Sequence, residues 1–116
     1  MSPRAIPGGV LADILDILKA CRRSRVKVRV YRGLVELKVA LPAELAAYAH
    51  TSEDRVLGVL LGDGKKFRRD TSLLILGVAR PEARGGQDAW AITRRGEAAW
   101  EPVMARLVKT RGPPEG

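Results

Sequence analysis

The residues best suited to chemistry are basic side chains that recur at every second position from residue 25. Arg25, Lys27 and Arg29 alternate with valines, and Tyr31 follows in the same phase. A period of two is typical of a strand with one buried face, so these four side chains are expected to share the other face. Cations neutralise phosphates, and an aromatic ring offers a platform on which a base can stack. The pattern therefore predicts a strand that binds nucleic acid.

Residues 25–41 together predict a β-hairpin whose turn is Arg32-Gly33. In this register the apolar side chains of both strands fall on one side, and a slip of one residue would destroy that agreement. The same register places Lys27 opposite Lys38, and opposed like charges destabilise a sheet by roughly a few tenths of a kcal/mol. We expect a bound anion to relieve the repulsion, which adds Lys38 to the site. The alternative is a solvated edge strand guarded by its charges.

A second basic run encloses an aromatic residue and extends the candidate site. It consists of Lys65, Lys66, Phe67, Arg68 and Arg69. Stacking of a base on an aromatic ring contributes about 1–3 kcal/mol, and flanking cations can meet the phosphates of a single strand. The alternative places Phe67 in the core and the four charges in water.

The sequence offers little from which an active site could be built. Its one histidine, His50, follows an alanine-rich helix, and its one cysteine, Cys21, falls in the apolar stripe of a predicted helix. Such a pair is too small for a typical zinc site, and segment 62–66 lacks the spacing of a phosphate-binding loop. We therefore expect no enzymatic activity, no catalytic residue, no metal and no cofactor.

Charge and composition favour the same class of ligand. The chain has 116 residues, a net charge of +8 and an isoelectric point of about 10.4. These values predict an anionic partner, nucleic acid before a membrane surface. The alternative is a merely basic protein from an arginine-rich proteome. Because the sequence shows neither a signal-peptide pattern nor an apolar run of about 18 residues, we expect a cytoplasmic protein without a membrane segment.

Hydrophobic periodicity predicts the α+β fold that positions these residues. The expected order is α-β-β-α-β-β-β-α, a small, mainly antiparallel sheet with helices packed on one face. The expected helices cover residues 10–23, 43–50 and the apolar stripe at 100–108. The expected strands are the hairpin and residues 55–61, 73–78 and 89–93, with an exposed loop at 81–88. One domain is expected over residues 10–110, between a flexible lead-in at 1–9 and a tail at 111–116.

Residues 90–100, Trp-Ala-Ile-Thr-Arg-Arg-Gly-Glu-Ala-Ala-Trp, resemble the end of a winged-helix domain, where a wing strand leads into the last helix. The resemblance implies that loop 81–88 is the wing and that the ligand is duplex DNA. It implies four DNA-contacting residues: Arg80, Arg84, Arg94 and Arg95. Two features depart from the pattern. Residues 73–76 suggest a strand where a recognition helix is expected, and Pro102 interrupts the last helix.

The order of elements over the whole chain resembles the ThermoDBP family of archaeal proteins that bind single-stranded DNA. The segments that carry this resemblance are 10–23, 25–41, 55–61 and 73–78. The resemblance implies a hyperthermophilic archaeal source and a small domain that binds DNA in an apolar cleft edged by basic residues.

These features favour sequence-independent binding of single-stranded DNA through the hairpin face and the nearby aromatic residues. Two alternatives stay open. One is duplex binding by a winged helix, and the other is docking on an acidic protein or in a ribonucleoprotein particle, with RNA also a possible ligand. Open sheet edges and the apolar stripe at 100–108 are compatible with a homodimer or another homo-oligomer.

Overall fold

The computed structural model describes residues 5–65 and 68–111. Within them, the chain forms five α-helices and three short strands. These are α1 (Ala5–Arg22), α2 (Arg25–Leu37), β1 (Val39–Ala40), α3 (Pro42–Ala49), α4 (Glu53–Leu61), β2 (Ala79–Arg84), β3 (Gln87–Ile92) and α5 (Arg94–Arg111). The expected α+β class with an antiparallel sheet is confirmed. The order of elements, α-α-β-α-α-β-β-α, differs from the expected one.

The ends of the chain are only partly covered. Because α1 begins at Ala5, residues 5–9 of the expected lead-in belong to a helix. Residues 1–4 and 112–116 lie outside the described residues, and Arg111 of the expected tail is the last residue of α5.

The sheet is small, and its antiparallel strands lie in the order β1-β3-β2. Strands β2 and β3 form a hairpin in which Arg84 pairs with Gln87, so Gly85 and Gly86 alone make the turn. Their φ angles are 59° and 80°, and a two-residue type I′ turn requires this left-handed conformation at both positions. Glycine adopts it without steric cost. Segment 81–88, expected as a loop, is therefore the outer part of a hairpin.

The hairpin expected near the N-terminus is wrong, because its first strand and turn form helix α2. Ser24 caps this helix, its Oγ accepting a hydrogen bond from the backbone N–H of Lys27 at 3.1 Å. Val30, Tyr31 and Leu34 are fully buried along one helical stripe. A strand would have placed Val30 and Tyr31 on opposite faces, whereas a helix buries both.

Two further expected strands are also wrong. Residues 55–61 lie in α4, which Ser52 caps by accepting a hydrogen bond from the backbone N–H of Arg55 at 3.2 Å. Residues 73–78 form tight turns in which Gly77 has a φ of 77°. A short aliphatic run can belong to a buried strand, a buried helix or a buried turn, and periodicity alone does not separate them.

The other expected elements are confirmed in type. The helices at 10–23, 43–50 and 100–108 correspond to α1, α3 and α5, and the strand at 89–93 corresponds to β3. Pro102 does not interrupt α5, which runs through it. A proline removes its own N–H donor from the helical ladder, and its ring crowds the carbonyl four residues before it, yet α5 continues on both sides of Pro102.

The core is centred on the buried face of α2. Helix α2 contacts α1, α3, α4 and α5, and α1 packs along α5. The hydroxyl of Tyr31 donates a hydrogen bond to the carbonyl of Gly96 at 2.5 Å. Its ring meets that of Trp100 edge-on, with 4.8 Å between the ring centroids. Gly33 lets α3 approach closely, since a Cβ there would lie 3.1 Å from the side chain of Leu45. This packing fixes α3 and α4 relative to the sheet.

Candidate nucleic-acid interface

Helices α3 and α4 form a helix-turn-helix. Helix α3 ends at His50, whose φ of 55° and ψ of 50° are left-handed, and its N–H bonds back to the last turn of the helix. The chain then reverses over Thr51, and Ser52 caps α4. A turn this short holds the second helix at a fixed angle on the surface, which is how a recognition helix is presented to DNA.

Helix α4 has one buried face and one exposed face. Val56, Val59 and Leu60 are fully buried against the core. The outward face of α4 carries four residues: Glu53, Asp54, Leu57 and Leu61. Leu57 is half-buried and the other three are exposed. Arg55 is exposed on the flank of the same helix.

A groove of about 530 Å³ lies between α4 and the β2–β3 hairpin. Leu57 and Leu61 line it on the helix side, and Pro81, Ala83 and Trp90 line it on the hairpin side. The hairpin therefore stands beside the outward face of α4.

Two of the four arginines implied by the wing resemblance form ion pairs. The Nη2 of Arg84 lies 2.8 Å from Oε1 of Glu44 on α3. Two hydrogen bonds hold the pKa of Glu44 below its usual range. The larger effect comes from the Arg84 side chain and the smaller one from the backbone N–H of Leu41. Arg80 pairs with Glu82 on the same strand. The Arg84–Glu44 pair joins the hairpin to the helix-turn-helix.

The other two arginines begin α5, directly after the hairpin, and both are exposed. The guanidinium of Arg95 lies over Gly77, where an added Cβ would be 2.9 Å from Nη1. Arg94 has no ion-pair partner within the described part of the chain.

The structure separates the residues that were expected on the hairpin face. Lys27 is 4% exposed, and its Nζ donates a hydrogen bond to the carbonyl of Thr71 at 2.7 Å. Tyr31 is in the core, and Lys38 pairs with Glu97 of α5. Lys27 and Lys38 do not face each other, so the expected repulsion relieved by an anion is wrong. Neither Lys27 nor Tyr31 can contact a nucleic acid in this fold.

Arg25 and Arg29 are exposed, but they lie on α2 and not on α4. Together with Arg32 they share the exposed face of α2, since their spacing of four and three residues places them one above the other. Helix α2 buries its opposite face in the core against which α4 also packs. The α2 arginines therefore belong to a different helix from the outward face of α4.

The second basic run adjoins α4. Lys65, Arg68 and Arg69 are exposed. Lys66 and Phe67 lie outside the described residues. The run returns to the end of α4, because a Cβ on Gly62 would lie only 2.5 Å from Cα of Arg69. The 3₁₀ turn Arg69–Thr71 is then tied to α2 by the buried Lys27.

The sequence analysis missed the outward face of α4 and Arg55, because it interpreted residues 55–61 as a strand. A signal for the helix was present. Ser52 is a good N-cap residue, and the acidic Glu53 and Asp54 that follow suit the positive end of a helix dipole. This signal, three residues after the preceding helix, would have predicted the helix-turn-helix.

Other kinds of site find less support in the structure. Within the described residues, no group of three or more His, Cys, Asp or Glu side chains could hold a metal ion. None of the helices described is long and apolar enough to cross a bilayer. Cys21 is buried, and burial raises the pKa of its thiol to about 12, so it is protonated at neutral pH.

In the order α2-β1-α3-α4-β2-β3, two helices joined by a short turn precede a hairpin whose strand β3 also pairs with β1. The family model described as EarA-like matches residues 17–103, most of the chain, and the chain belongs to this family. The expected membership of the ThermoDBP family is therefore wrong. No curated protein and no solved structure matches the chain.

Proposed function

We propose that the protein binds duplex DNA, with α4 in the major groove and the β2–β3 hairpin beside it. The observation that carries the proposal is the juxtaposition of a helix-turn-helix and a hairpin across one groove. The second helix of such a motif enters the major groove, which is wide enough to admit a helix.

Exposed cations on the flank of α4, after its C-terminal end and at the start of α5 would supply the phosphate contacts. Arg55 lies on the flank of α4, Lys65 and Arg69 follow its C-terminal end, and Arg94 begins α5 after the hairpin. None of the four has an ion-pair partner among the described residues. Cations without internal partners can replace the counterions of DNA, which gives binding its salt dependence.

Burial of Tyr31 favours duplex DNA over a single strand, because it withdraws one of the two rings that were expected to stack on bases; the other, Phe67, lies outside the described residues. Tyr31 is fully buried and bonded to Gly96. Trp90 is 6% exposed at the base of the groove, so it presents no open ring face. Single-strand binding without sequence preference relies on such rings, whereas a helix beside a wing suits a duplex.

A second candidate function is docking on an acidic protein, and the α2 arginines favour it. Arg25, Arg29 and Arg32 form an exposed row without ion-pair partners in the described part of the chain. The row lies on α2, which is not part of the helix-turn-helix formed by α3 and α4. Guanidinium groups bind carboxylates in bidentate geometry.

Two matched variants test the proposed function. Lys65→Ala with Arg69→Ala removes two charges beside α4, and Arg25→Ala with Arg29→Ala removes two from α2. Fluorescence anisotropy with a labelled random-sequence duplex, from about 50 to 200 mM salt, gives the affinity and its salt slope. The first variant is expected to lose affinity and to lower the slope by about 1.8, the value for two phosphate contacts.

At the highest salt of the series, the α2 variant should bind DNA with the same affinity as the unmodified protein, because the Debye length there is below about 8 Å and more distant charges are screened. Equal loss in both variants would mean that only net charge matters and would contradict the proposed interface. Tighter binding to the matching single strand than to the duplex would restore the single-strand hypothesis. Absence of binding to both at low salt would leave docking on an acidic protein as the better account.

A further inference from the structure

The outward face of α4 has an unusual composition for a helix that enters the major groove. Its four residues, Glu53, Asp54, Leu57 and Leu61, include no cation and no amide. Arginine and lysine are the usual readers of guanine, and asparagine and glutamine are the usual readers of adenine. The face therefore offers none of the groups that donate a hydrogen bond to a purine N7.

Two carboxylates and two leucines suit the other groups that the major groove displays. A carboxylate accepts a hydrogen bond from the N4 amino group of cytosine, and an apolar side chain packs on the methyl group of thymine. Acceptors such as guanine N7 and O6 repel a carboxylate, which adds discrimination against the wrong base.

The positions of these residues along α4 divide the two roles. Glu53 and Asp54 occupy the first turn, next to Ser52, and are exposed. Leu57 and Leu61 follow at intervals of four, and both line the groove towards the hairpin. The N-terminal end of a recognition helix is the part that meets base edges in helix-turn-helix proteins, so the carboxylates would contact bases at that end.

We propose that α4 recognises its DNA site through cytosine amino groups at Glu53 and Asp54 and thymine methyl groups at Leu57 and Leu61, and not through purine N7 atoms. This inference rests on the proposed function. Glu53 and Asp54 also stabilise the N-terminus of α4 through the helix dipole, and the two roles are compatible. A purely structural role would not, however, produce a preference among bases.

Modified DNA tests the inference with the unaltered protein. A duplex selected from a random pool is remade with deoxyuridine in place of thymidine, or with 7-deazapurines in place of guanine and adenine. Loss of a contacted methyl group should weaken binding about fourfold for each thymine replaced. The 7-deaza duplex, which lacks the N7 acceptors, should bind as tightly as the parent.

Two variants assign the roles to residues. Glu53→Gln should change the selected base at one position from cytosine to adenine, because glutamine bonds both N6 and N7 of adenine, with a preference of about fivefold or more. Leu57→Ala should abolish part of the sensitivity to deoxyuridine. Leu15→Ala, at an exposed leucine of α1, is the control and should leave that sensitivity unchanged.

The outcomes separate this inference from the proposed function. Duplex binding that is weakened by 7-deazapurines and indifferent to deoxyuridine would overturn the inference while leaving duplex binding intact. If the protein selects no preferred sequence from the random pool, the inference is likewise overturned and duplex binding is left intact. Failure to bind any duplex would overturn both together.

Discussion

Replacement of Tyr31 by phenylalanine removes one buried hydrogen bond, from the Tyr31 hydroxyl to the carbonyl of Gly96. This bond depends on the helical conformation of residues 25–37, because the expected strand would have placed the side chain of Tyr31 on the solvent face. The hydroxyl is fully buried and donates a 2.5 Å hydrogen bond to Gly96, while the ring packs edge-on against Trp100. Tyr31→Phe keeps the ring and removes the bond, leaving a buried carbonyl without this partner. We expect the free energy of unfolding to fall by about 1–2 kcal/mol. In urea the midpoint should fall by about 1 M.

The matched control is Tyr48→Phe. Tyr48 is 36% exposed, and its hydroxyl has no hydrogen bond within the described residues, so the free energy of unfolding should change by less than about 0.5 kcal/mol. DNA affinity should be unchanged in both variants. A Tyr31→Phe variant as stable as the unmodified protein, or one that folds normally but binds DNA more weakly, would refute the packing described for α2.

The same residue gives a pH dependence with a defined sign. Burial raises the pKa of Tyr31 above its ordinary value of about 10. Above that pH the unfolded chain releases the phenolic proton and the folded chain retains it, so stability is lost as the pH rises. Thermal unfolding at pH 8 and at a pH above 10 should show a loss for the unmodified protein that is smaller in Tyr31→Phe. An equal loss in both would contradict this assignment.

Three further predictions concern other buried groups. Lys27→Ala should lower the free energy of unfolding, measured in urea, by about 2–4 kcal/mol, because it removes the packed aliphatic part of the side chain and the hydrogen bond from its ammonium group to Thr71. The control is Arg29→Ala, at an exposed position of the same helix, which should lower that free energy by less than about 0.5 kcal/mol. Gly96→Ala should lower the melting temperature, since its Cβ would lie 2.5 Å from a backbone carbonyl oxygen, and an unchanged value would contradict that contact. Burial raises the pKa of Cys21 to about 12, so its thiol should react with a thiol reagent at pH 8 only after the protein unfolds. Rapid labelling of the folded protein would contradict the burial of Cys21.

The parts of the fold that the sequence predicted are those with one unambiguous pattern. The helix at 43–50 begins with Pro42, a residue that suits the first turn of a helix, and it forms as α3. The strand at 89–93 lies between a glycine pair and the start of a helix, and it forms as β3. In these segments local pattern and tertiary packing favour the same structure.

Segment 25–37 shows why the rest was not predictable from periodicity. Its valines alternate as in a strand, yet Val30 and Leu34 are also spaced as on a helix, and tertiary packing selects the helix. The alternation placed Lys27 on a solvent face, whereas the helix buries it against Thr71. Long-range partners of this kind are invisible in a local pattern.

The candidate site depends on long-range contacts in the same way. The wing resemblance predicts DNA contacts for Arg84 and Arg94, and both stay predictions: Arg94 begins α5 after the hairpin, and Arg84 is engaged by Glu44, forty residues away in the chain. The outward face of α4 was lost when an aliphatic run was taken for a strand. The N-cap at Ser52 shows that capping residues can decide between helix and strand where apolar runs cannot.

Backbone amide shifts recorded during a titration with duplex DNA test the central claim most directly. If α4 enters the major groove with the hairpin beside it, the largest changes should fall in residues 53–61 and 79–92. The amide signals of Arg25, Arg29 and Arg32, on the exposed face of α2, should change little. Changes concentrated on α2, with α4 and the hairpin unaffected, would contradict the account.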